Sequence, residues 1–133
     1  MKRQVEGLIC EHSQLYSRGK IGFSDFTDEE RERFKSVRQV LLRTHPVTGR
    51  KSLYLSSHAG SIQGWPVPEA NIFLQNLLEH ATQRRFVYAH EWRVGDLLMW
   101  DNRQTMHRAR PFPVEERRDM RRTTLAGDGP TVP

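Results

Sequence analysis

Two blocks decide the fold of this chain: Trp100-Asp101-Asn102-Arg103-Gln104-Thr105-Met106-His107-Arg108-Ala109-Arg110 and Arg118-Asp119-Met120-Arg121-Arg122. Together they place His107 11 residues before Arg118 and 15 residues before Arg122. A histidine can hold a metal ion through a ring nitrogen. An arginine can hold a carboxylate through two parallel charge-assisted hydrogen bonds. The blocks therefore predict a metal ligand beside a carboxylate clamp, a pair that suits an oxygenase using a keto acid.

The size and composition of the chain favour one small, polar and basic domain. It has 133 residues, 36% hydrophobic residues and a net charge of +5, with a pI of about 9.9. A net positive charge favours binding to nucleic acid, to an anionic membrane or to small acidic substrates. The single cysteine, Cys10, excludes an internal disulfide, and it is predicted to be packed in the run Leu8-Ile9-Cys10. Because there is no signal core and no apolar run of roughly 18 residues, we expect a cytoplasmic protein without membrane contact.

The arginines around His107 do not favour nucleic acid as a partner. Residues 101–122 hold seven arginines against four acidic residues, and the acids are interspersed. Few aromatic side chains stand among them to stack on bases. We therefore expect a small anionic substrate and O₂ as partners, with no nucleic acid; whether the complete protein is a homo-oligomer stays open.

Helical periodicity is confined to the first part of the chain. Apolar spacing predicts a helix over residues 5–16. The pattern from Thr27 to Glu30 predicts a capping box, with a second helix that has its apolar face over residues 34–41 and ends at His45-Pro46. A third helix is predicted from Pro68-Glu69 through Leu78. These helices precede most of the predicted strands.

Strand patterns follow mainly in the second half. The strands are predicted over Lys51 to Ser56, Phe86 to Trp92, Leu97 to Trp100, Met106 to Arg108 and Arg121 to Ala126, with turns at Thr48-Gly49 and Gly95-Asp96. Helices followed by antiparallel strands indicate an α+β fold. The expected architecture is the C-terminal part of a jelly roll, or double-stranded β-helix, with flanking helices. About five strands are present, where a jelly roll takes eight.

Several ordered blocks then give a family resemblance. Besides the two opening blocks, they are Cys10-Glu11-His12-Ser13, Tyr16-Ser17-Arg18-Gly19, Arg43-Thr44-His45-Pro46-Val47, Arg50 to Gly60, and Glu79-His80-Ala81-Thr82. In this order they resemble the C-terminal part of the taurine / 2,4-dichlorophenoxyacetate dioxygenase family, which depends on iron(II) and 2-oxoglutarate. The 2,4-dichlorophenoxyacetate branch is the most similar one.

The resemblance implies roles for individual residues. His107 would be the distal Fe²⁺ ligand, and Arg118 and Trp100 would bind the co-substrate 2-oxoglutarate. Arg122, His45 and His58 are implied substrate residues; Arg122 is alternatively a second contact to the keto acid. His90 also aligns, without a defined role. The implied reaction hydroxylates a small organic acid such as 2,4-dichlorophenoxyacetate and gives a phenol, glyoxylate, succinate and CO₂.

One part of the family pattern is absent from this sequence. The family's iron site also needs a His-x-Asp/Glu pair, yet none of the six histidines has an acidic residue two positions later. We therefore expect residues 1–126 to be the C-terminal part of one dioxygenase domain, inactive alone, and residues 127–133 to be a flexible tail. The alternative is a small basic non-catalytic binding protein that keeps a remnant of the fold.

Overall fold

Helices and short antiparallel strands alternate in this protein, whose computed structural model describes residues 2–127. A three-stranded sheet and a two-stranded sheet account for all strands of the described part, and they do not close into a barrel. The mixed α+β class is thus confirmed. The number of strands, five, matches the expectation, but most of their positions differ from it.

The larger sheet is built around β1 (Ile9–His12). This strand pairs antiparallel with β2 (Val37–Val40) on one side and with β5 (Ala59–Ile62) on the other. The register to β5 shifts between Glu11 and His12, which marks a bulge. Because β1 has partners on both edges, its backbone groups are satisfied within the sheet.

The predicted helix over residues 5–16 is wrong. A 3₁₀ turn covers Lys2–Val5, then β1 follows, and only α1 (Gln14–Gly19) is helical. Gly7 has a φ of +73°, a left-handed conformation that ends any helix at this point. A short apolar run such as Leu8-Ile9-Cys10 suits a buried strand as well as a helix. Burial of Cys10 within β1 is confirmed, and it raises the pKa of the thiol to about 11.

The second predicted helix is correct at its start and wrong at its end. The Thr27–Glu30 capping box forms as expected and begins α2 (Asp28–Arg33). Residues 37–40, expected on the helix, instead form β2 at the sheet edge because they pair with β1. Here tertiary pairing overrides the local periodicity.

A hairpin carries the residues next to the candidate site. Strand β3 (Leu42–Thr44) pairs with β4 (Lys51–Leu53), so the predicted strand from Lys51 to Ser56 is present in its first half. The predicted turn at Thr48-Gly49 is confirmed, with Gly49 at a φ of +66°. His45-Pro46 therefore ends a strand rather than a helix.

Helix α3 (Val67–Ala81) covers the sheet and completes the core, as its apolar spacing predicts. Leu74 and Leu77 are buried, whereas Ile72 is exposed. They join a single buried cluster with residues from the sheet and its loops. Strand β5 and its glycine, Gly60, were missed because the glycines and prolines of this region favoured a loop. No helix in the described part of the chain is long and apolar enough to cross a membrane.

The last third of the chain lacks the strands that the sequence pattern predicts. A 3₁₀ turn covers Arg84–Phe86, and residues 87–127 contain neither helix nor strand. The strands predicted over Phe86 to Trp92, Leu97 to Trp100, Met106 to Arg108 and Arg121 to Ala126 are therefore wrong. Alternation of apolar and polar residues favours a β-strand. A strand forms, however, only where the edge of a neighbouring strand pairs with its backbone hydrogen-bonding groups. The turn at Gly95-Asp96 does form, and residues 128–133 of the predicted tail lie outside the described residues.

Candidate functional site

The predicted metal ligand contacts a predicted co-substrate residue. The ring centroids of Trp100 and His107 lie 4.9 Å apart, and their planes are inclined by 54°. The indole nitrogen of Trp100 donates to Oδ1 of Asn102 at 2.8 Å, which fixes the ring edge. His107 itself is exposed. The opening block of the sequence thus brings these two side chains together in space.

The residues around His107 do not make a complete metal site. Within residues 2–127, no three histidine, cysteine, aspartate or glutamate side chains are close enough to hold one ion. A facial iron site needs two histidines and a carboxylate. The described part of the chain supplies one candidate ligand, so it does not fit a resident iron by itself.

The two predicted carboxylate-binding arginines are on the exposed C-terminal segment. The guanidinium of Arg118 lies 4.8 Å from the centroid of the Phe112 ring, and its Nε donates to Sδ of Met120 at 2.9 Å. Arg122 is exposed. The described contacts of Arg118 are therefore with its sequence neighbours and not with His107.

His45 stands at the end of β3, in contact with the loop that precedes His107. Its Nδ1 accepts hydrogen bonds from the backbone N–H groups of Val47 at 3.2 Å and Thr48 at 3.1 Å. Its Nε2 lies 3.4 Å from Oδ2 of Asp101 and 3.4 Å from Nη2 of Arg103. Arg103 donates to both carboxylate oxygens of Asp101 and holds the pKa of that carboxyl well below its usual range. The predicted substrate histidine is thus tied to an ion pair of the opening block.

A cavity of about 330 Å³ adjoins His45. It lies between β3 and the loop after Trp100, and its wall is both apolar and positively charged. The lining residues are Val40, Leu42, Arg43, Thr44, His45, Pro46, Arg103 and Gln104. A cavity of this size, with apolar, polar and charged side chains in its wall, suits a small organic ligand that carries a polar or charged group.

His58 is held by contacts with two serines, Ser17 and Ser56. Its Nδ1 lies 2.7 Å from Oγ of Ser17, and its backbone N–H donates to Oγ of Ser56 at 3.1 Å. The same Ser56 hydroxyl lies 3.2 Å from Nδ1 of His12. His58 is therefore joined to His12 through one hydroxyl, and no described contact joins it to His45.

His12 belongs to a polar cluster that the sequence did not single out. Its ring lies 5.2 Å from that of Tyr54, and the Arg43 guanidinium lies 3.5 Å from the Tyr54 ring centroid. Within the described residues, His12 Nε2, Arg43 Nε and Ser52 Oγ are buried without hydrogen-bond partners. Burial, followed by the charges of His58 and Arg43, lowers the pKa of His12 from 6.5 to about 4. The ring is consequently neutral at pH 7.

Sequence reasoning missed this cluster for two reasons. His12 was assigned to a helix face, and Arg43 and Tyr54 were noted only as parts of the family blocks. The cross-strand pairing of β3 with β4 would have placed them near each other, because Leu42 pairs with Leu53 at the adjacent positions. His90 lies apart, with Nε2 3.0 Å from Oδ2 of Asp96 and its ring 4.6 Å from that of Trp92.

Comparisons with known proteins agree on one family. Residues 1–124 match the model of the taurine catabolism dioxygenase TauD, TfdA family. The chain is 45% identical to the alpha-ketoglutarate-dependent 2,4-dichlorophenoxyacetate dioxygenase of Cupriavidus pinatubonensis, over 96% of this chain and 45% of that protein. It is 36% identical to the (S)-phenoxypropionate/alpha-ketoglutarate-dioxygenase of Sphingobium herbicidovorans, over 96% of this chain and 47% of that protein.

A solved structure gives the same answer for the fold. The crystal structure of AAD-2 in complex with Mn(II) and N-oxalylglycine superimposes with a TM-score of 0.92 at 60% identity, covering 98% of this chain and 52% of that one. The fold and the sequence thus place this chain in a family whose relatives described above are named as alpha-ketoglutarate-dependent dioxygenases. The chain belongs to the taurine catabolism dioxygenase TauD, TfdA family, and it spans about half the length of the relatives it matches.

Proposed function

We propose that this chain is the C-terminal part of an Fe(II)- and 2-oxoglutarate-dependent dioxygenase that hydroxylates an aryloxyalkanoic acid. For 2,4-dichlorophenoxyacetate, the products would be a phenol, glyoxylate, succinate and CO₂. The observation that carries the proposal is the 45% identity, over nearly the whole chain, to a relative named for this substrate. N-oxalylglycine, present in the AAD-2 structure, has an NH group where 2-oxoglutarate has a CH₂ group, which supports the same co-substrate.

The cavity beside His45 supports an acidic substrate. Arg43 and Arg103 both line it; the charge of Arg103 is paired with Asp101, and the positive charge of Arg43 favours an anion. Val40, Leu42 and Pro46 supply apolar wall for an aromatic ring. We assign His45 to substrate binding on this basis. His58 and Arg122 stay in that role through the family resemblance alone.

The chain contributes binding and positioning rather than the oxidative step. When bound in such enzymes, iron and the keto acid would activate O₂, which supplies the oxidising power. Here His107 is the single candidate ligand among residues 2–127, and its contact with Trp100 orients the ring. Arg118 and Trp100 keep their proposed part in 2-oxoglutarate binding. The other ligands would come from a His-x-Asp/Glu pair that this sequence does not contain.

A titration of the ¹⁵N-labelled chain tests the substrate assignment. Adding 2,4-dichlorophenoxyacetate is expected to shift the backbone amides of residues 42–46 and 103–104. The matched ligand is 2,4-dichlorophenol, which keeps the ring and lacks the carboxylate. Equal shifts with both ligands, or shifts confined to other residues, would contradict an acid site at this cavity. A His45→Gln variant should weaken binding, whereas His80→Gln on α3 should not.

The DNA upstream of the Met1 codon tests the assignment to a larger enzyme. An in-frame extension carrying a His-x-Asp/Glu pair is the expected result. A stop codon or frameshift without such a pair would favour the alternative, a basic non-catalytic binding protein. None of the relatives described above is named for a non-catalytic function.

A further inference from the structure

The backbone turn after β3 determines which nitrogen of His45 carries the proton. Two N–H groups, of Val47 and Thr48, donate to Nδ1. A nitrogen that accepts hydrogen bonds holds a lone pair and no proton. In the neutral ring the proton is therefore on Nε2.

Nε2 faces two charged side chains, and only one of them suits this tautomer. The distances to Oδ2 of Asp101 and Nη2 of Arg103 are both 3.4 Å. A protonated Nε2 cannot accept from a guanidinium, whereas a carboxylate oxygen attracts its proton. Arg103 donates to Asp101 at 2.9 Å, so its charge is directed to the carboxylate. Asp101 is thus the group that complements His45.

We propose that Asp101 is a positioning residue, which holds His45 in the Nε2–H tautomer with its ring fixed at the cavity wall. The His45 side chain is only 12% exposed, so the ring has little freedom once both nitrogens are engaged. Carboxylates orient ligand histidines in metal sites by the same means. The contact also connects the turn after β3 with the loop that leads to His107.

The expected effect of Asp101 on ligand affinity rests on the proposed substrate role of His45. Its effect on the tautomer of His45 does not depend on that role. Asp101 does not line the cavity beside His45. Its expected effect on ligand affinity therefore acts through the two cavity-lining side chains that it contacts, the ring of His45 and the guanidinium of Arg103.

Long-range ¹H–¹⁵N spectra of the labelled chain report the tautomer directly. At pH 8, the wild-type chain should show His45 with an acceptor-type Nδ1 and a protonated Nε2. Asp101→Ala should give a mixture of tautomers, and Asp101→Asn should retain most of the wild-type pattern, because the amide oxygen still accepts from Nε2–H. Asp96→Asn, which removes the carboxylate partner of His90, is the matched control and should leave His45 unchanged.

An unchanged His45 tautomer and ring position in Asp101→Ala would overturn the proposal, because the turn alone would then suffice. Backbone amide spectra of β3 and β4 show whether each variant is folded. With 2,4-dichlorophenoxyacetate as the probe, Asp101→Ala should weaken binding about tenfold, the lower end of the loss observed when residues that orient metal-binding histidines are replaced. Absence of binding to the wild-type chain would contradict the proposed substrate site and leave the tautomer result standing.

Discussion

The imidazole of His107 packs against the indole of Trp100, at a centroid distance of 4.9 Å. This contact joins a predicted metal ligand to a predicted co-substrate residue, and the described residues contain no group of three side chains that could hold a metal ion. A single imidazole holds a divalent ion weakly compared with a three-ligand site.

The first prediction concerns turnover. The purified 133-residue chain, supplied with Fe(II), 2-oxoglutarate, O₂ and 2,4-dichlorophenoxyacetate, is expected to release no CO₂ above the level of iron alone. Decarboxylation of labelled 2-oxoglutarate is the measurement. His107→Ala is the control, and it should give the same background. Activity that His107→Ala abolishes would show that this chain assembles a metal site by itself.

The second prediction follows from the lowered pKa of His12, about 4 in the folded chain against 6.5 ordinarily. Between these values the unfolded chain binds the proton and the folded chain does not, so stability falls as the pH falls from 6.5 to 4. The loss should be roughly 2 kcal/mol, after allowance for the partial exposure of the ring. The pKa values of Asp96 and Asp101 are also lowered, so both carboxylates stay ionised over this window.

Urea unfolding at pH 7 and pH 4.5 measures this loss. His12→Gln should remove most of the difference between the two pH values, since glutamine does not titrate. His80→Gln, at an exposed position of α3, should preserve it. An equal pH dependence in wild type and His12→Gln would assign the effect to other groups.

A third prediction comes from the close approach of β5 to α1. A Cβ atom added at Gly60 would lie 2.7 Å from Cγ of Tyr16, near the base of that side chain. The Tyr16 hydroxyl donates to Oδ1 of Asn71 at 2.9 Å, which restrains the ring at its other end. Gly60→Ala should therefore destabilise the chain by about 1–3 kcal/mol, the usual cost of overpacking.

Thermal or urea unfolding of Gly60→Ala provides the comparison. Gly19→Ala is the matched control, because a Cβ at Gly19 meets nothing within 4 Å. That variant should not destabilise the chain, and the alanine should stabilise α1 by up to about 1 kcal/mol, since glycine is the poorer helix former. Equal stability of the two variants would mean that Tyr16 moves aside without cost.

The fourth prediction concerns the stacking of Arg43 on Tyr54. Burial lowers the pKa of the Arg43 guanidinium, and the electrostatic and hydrogen-bonding interactions of Tyr54 oppose that shift, while the guanidinium lies 3.5 Å from the Tyr54 ring centroid. Tyr54→Leu should destabilise the chain by about 2 kcal/mol, the size of a desolvated cation–π contact. Tyr88→Leu, at a side chain that is 79% exposed, serves as the control in the same unfolding experiment. A smaller loss for Tyr54→Leu than for Tyr88→Leu would contradict the stabilising role of the stack.

The sequence alone was enough to place the elements whose signals are local. The capping box at Thr27, the hairpin turn at Gly49 and the third helix all depend on residues within a few positions of one another, and all three are confirmed. Strands β1 and β2 were taken for helix because their pairing joins residues about 30 positions apart. Such pairing leaves no trace in a short window of sequence.

The contacts of the candidate site are likewise of two kinds, those between residues close in sequence and those between distant residues. The contact of Trp100 with His107 spans seven positions and lies inside one recognised block. The contact of His45 with Asp101 joins two blocks that are 56 positions apart, so only the folded chain shows it. The neutral state of His12 depends on burial beneath Tyr54 and Ser56, which no residue spacing reveals.

The position of the buried core along the chain determines how the effects of substitutions can be interpreted. Among residues 2–127, the buried core lies between Val5 and Leu77, whereas His107, Arg118 and Arg122 lie on a segment without helix or strand. Substituting Arg118 or Arg122 removes no packing from that core. Damage to ligand recognition and damage to folding are therefore separable in this chain, and a thermal melt that stays unchanged lets a lost affinity be attributed to the missing contact itself.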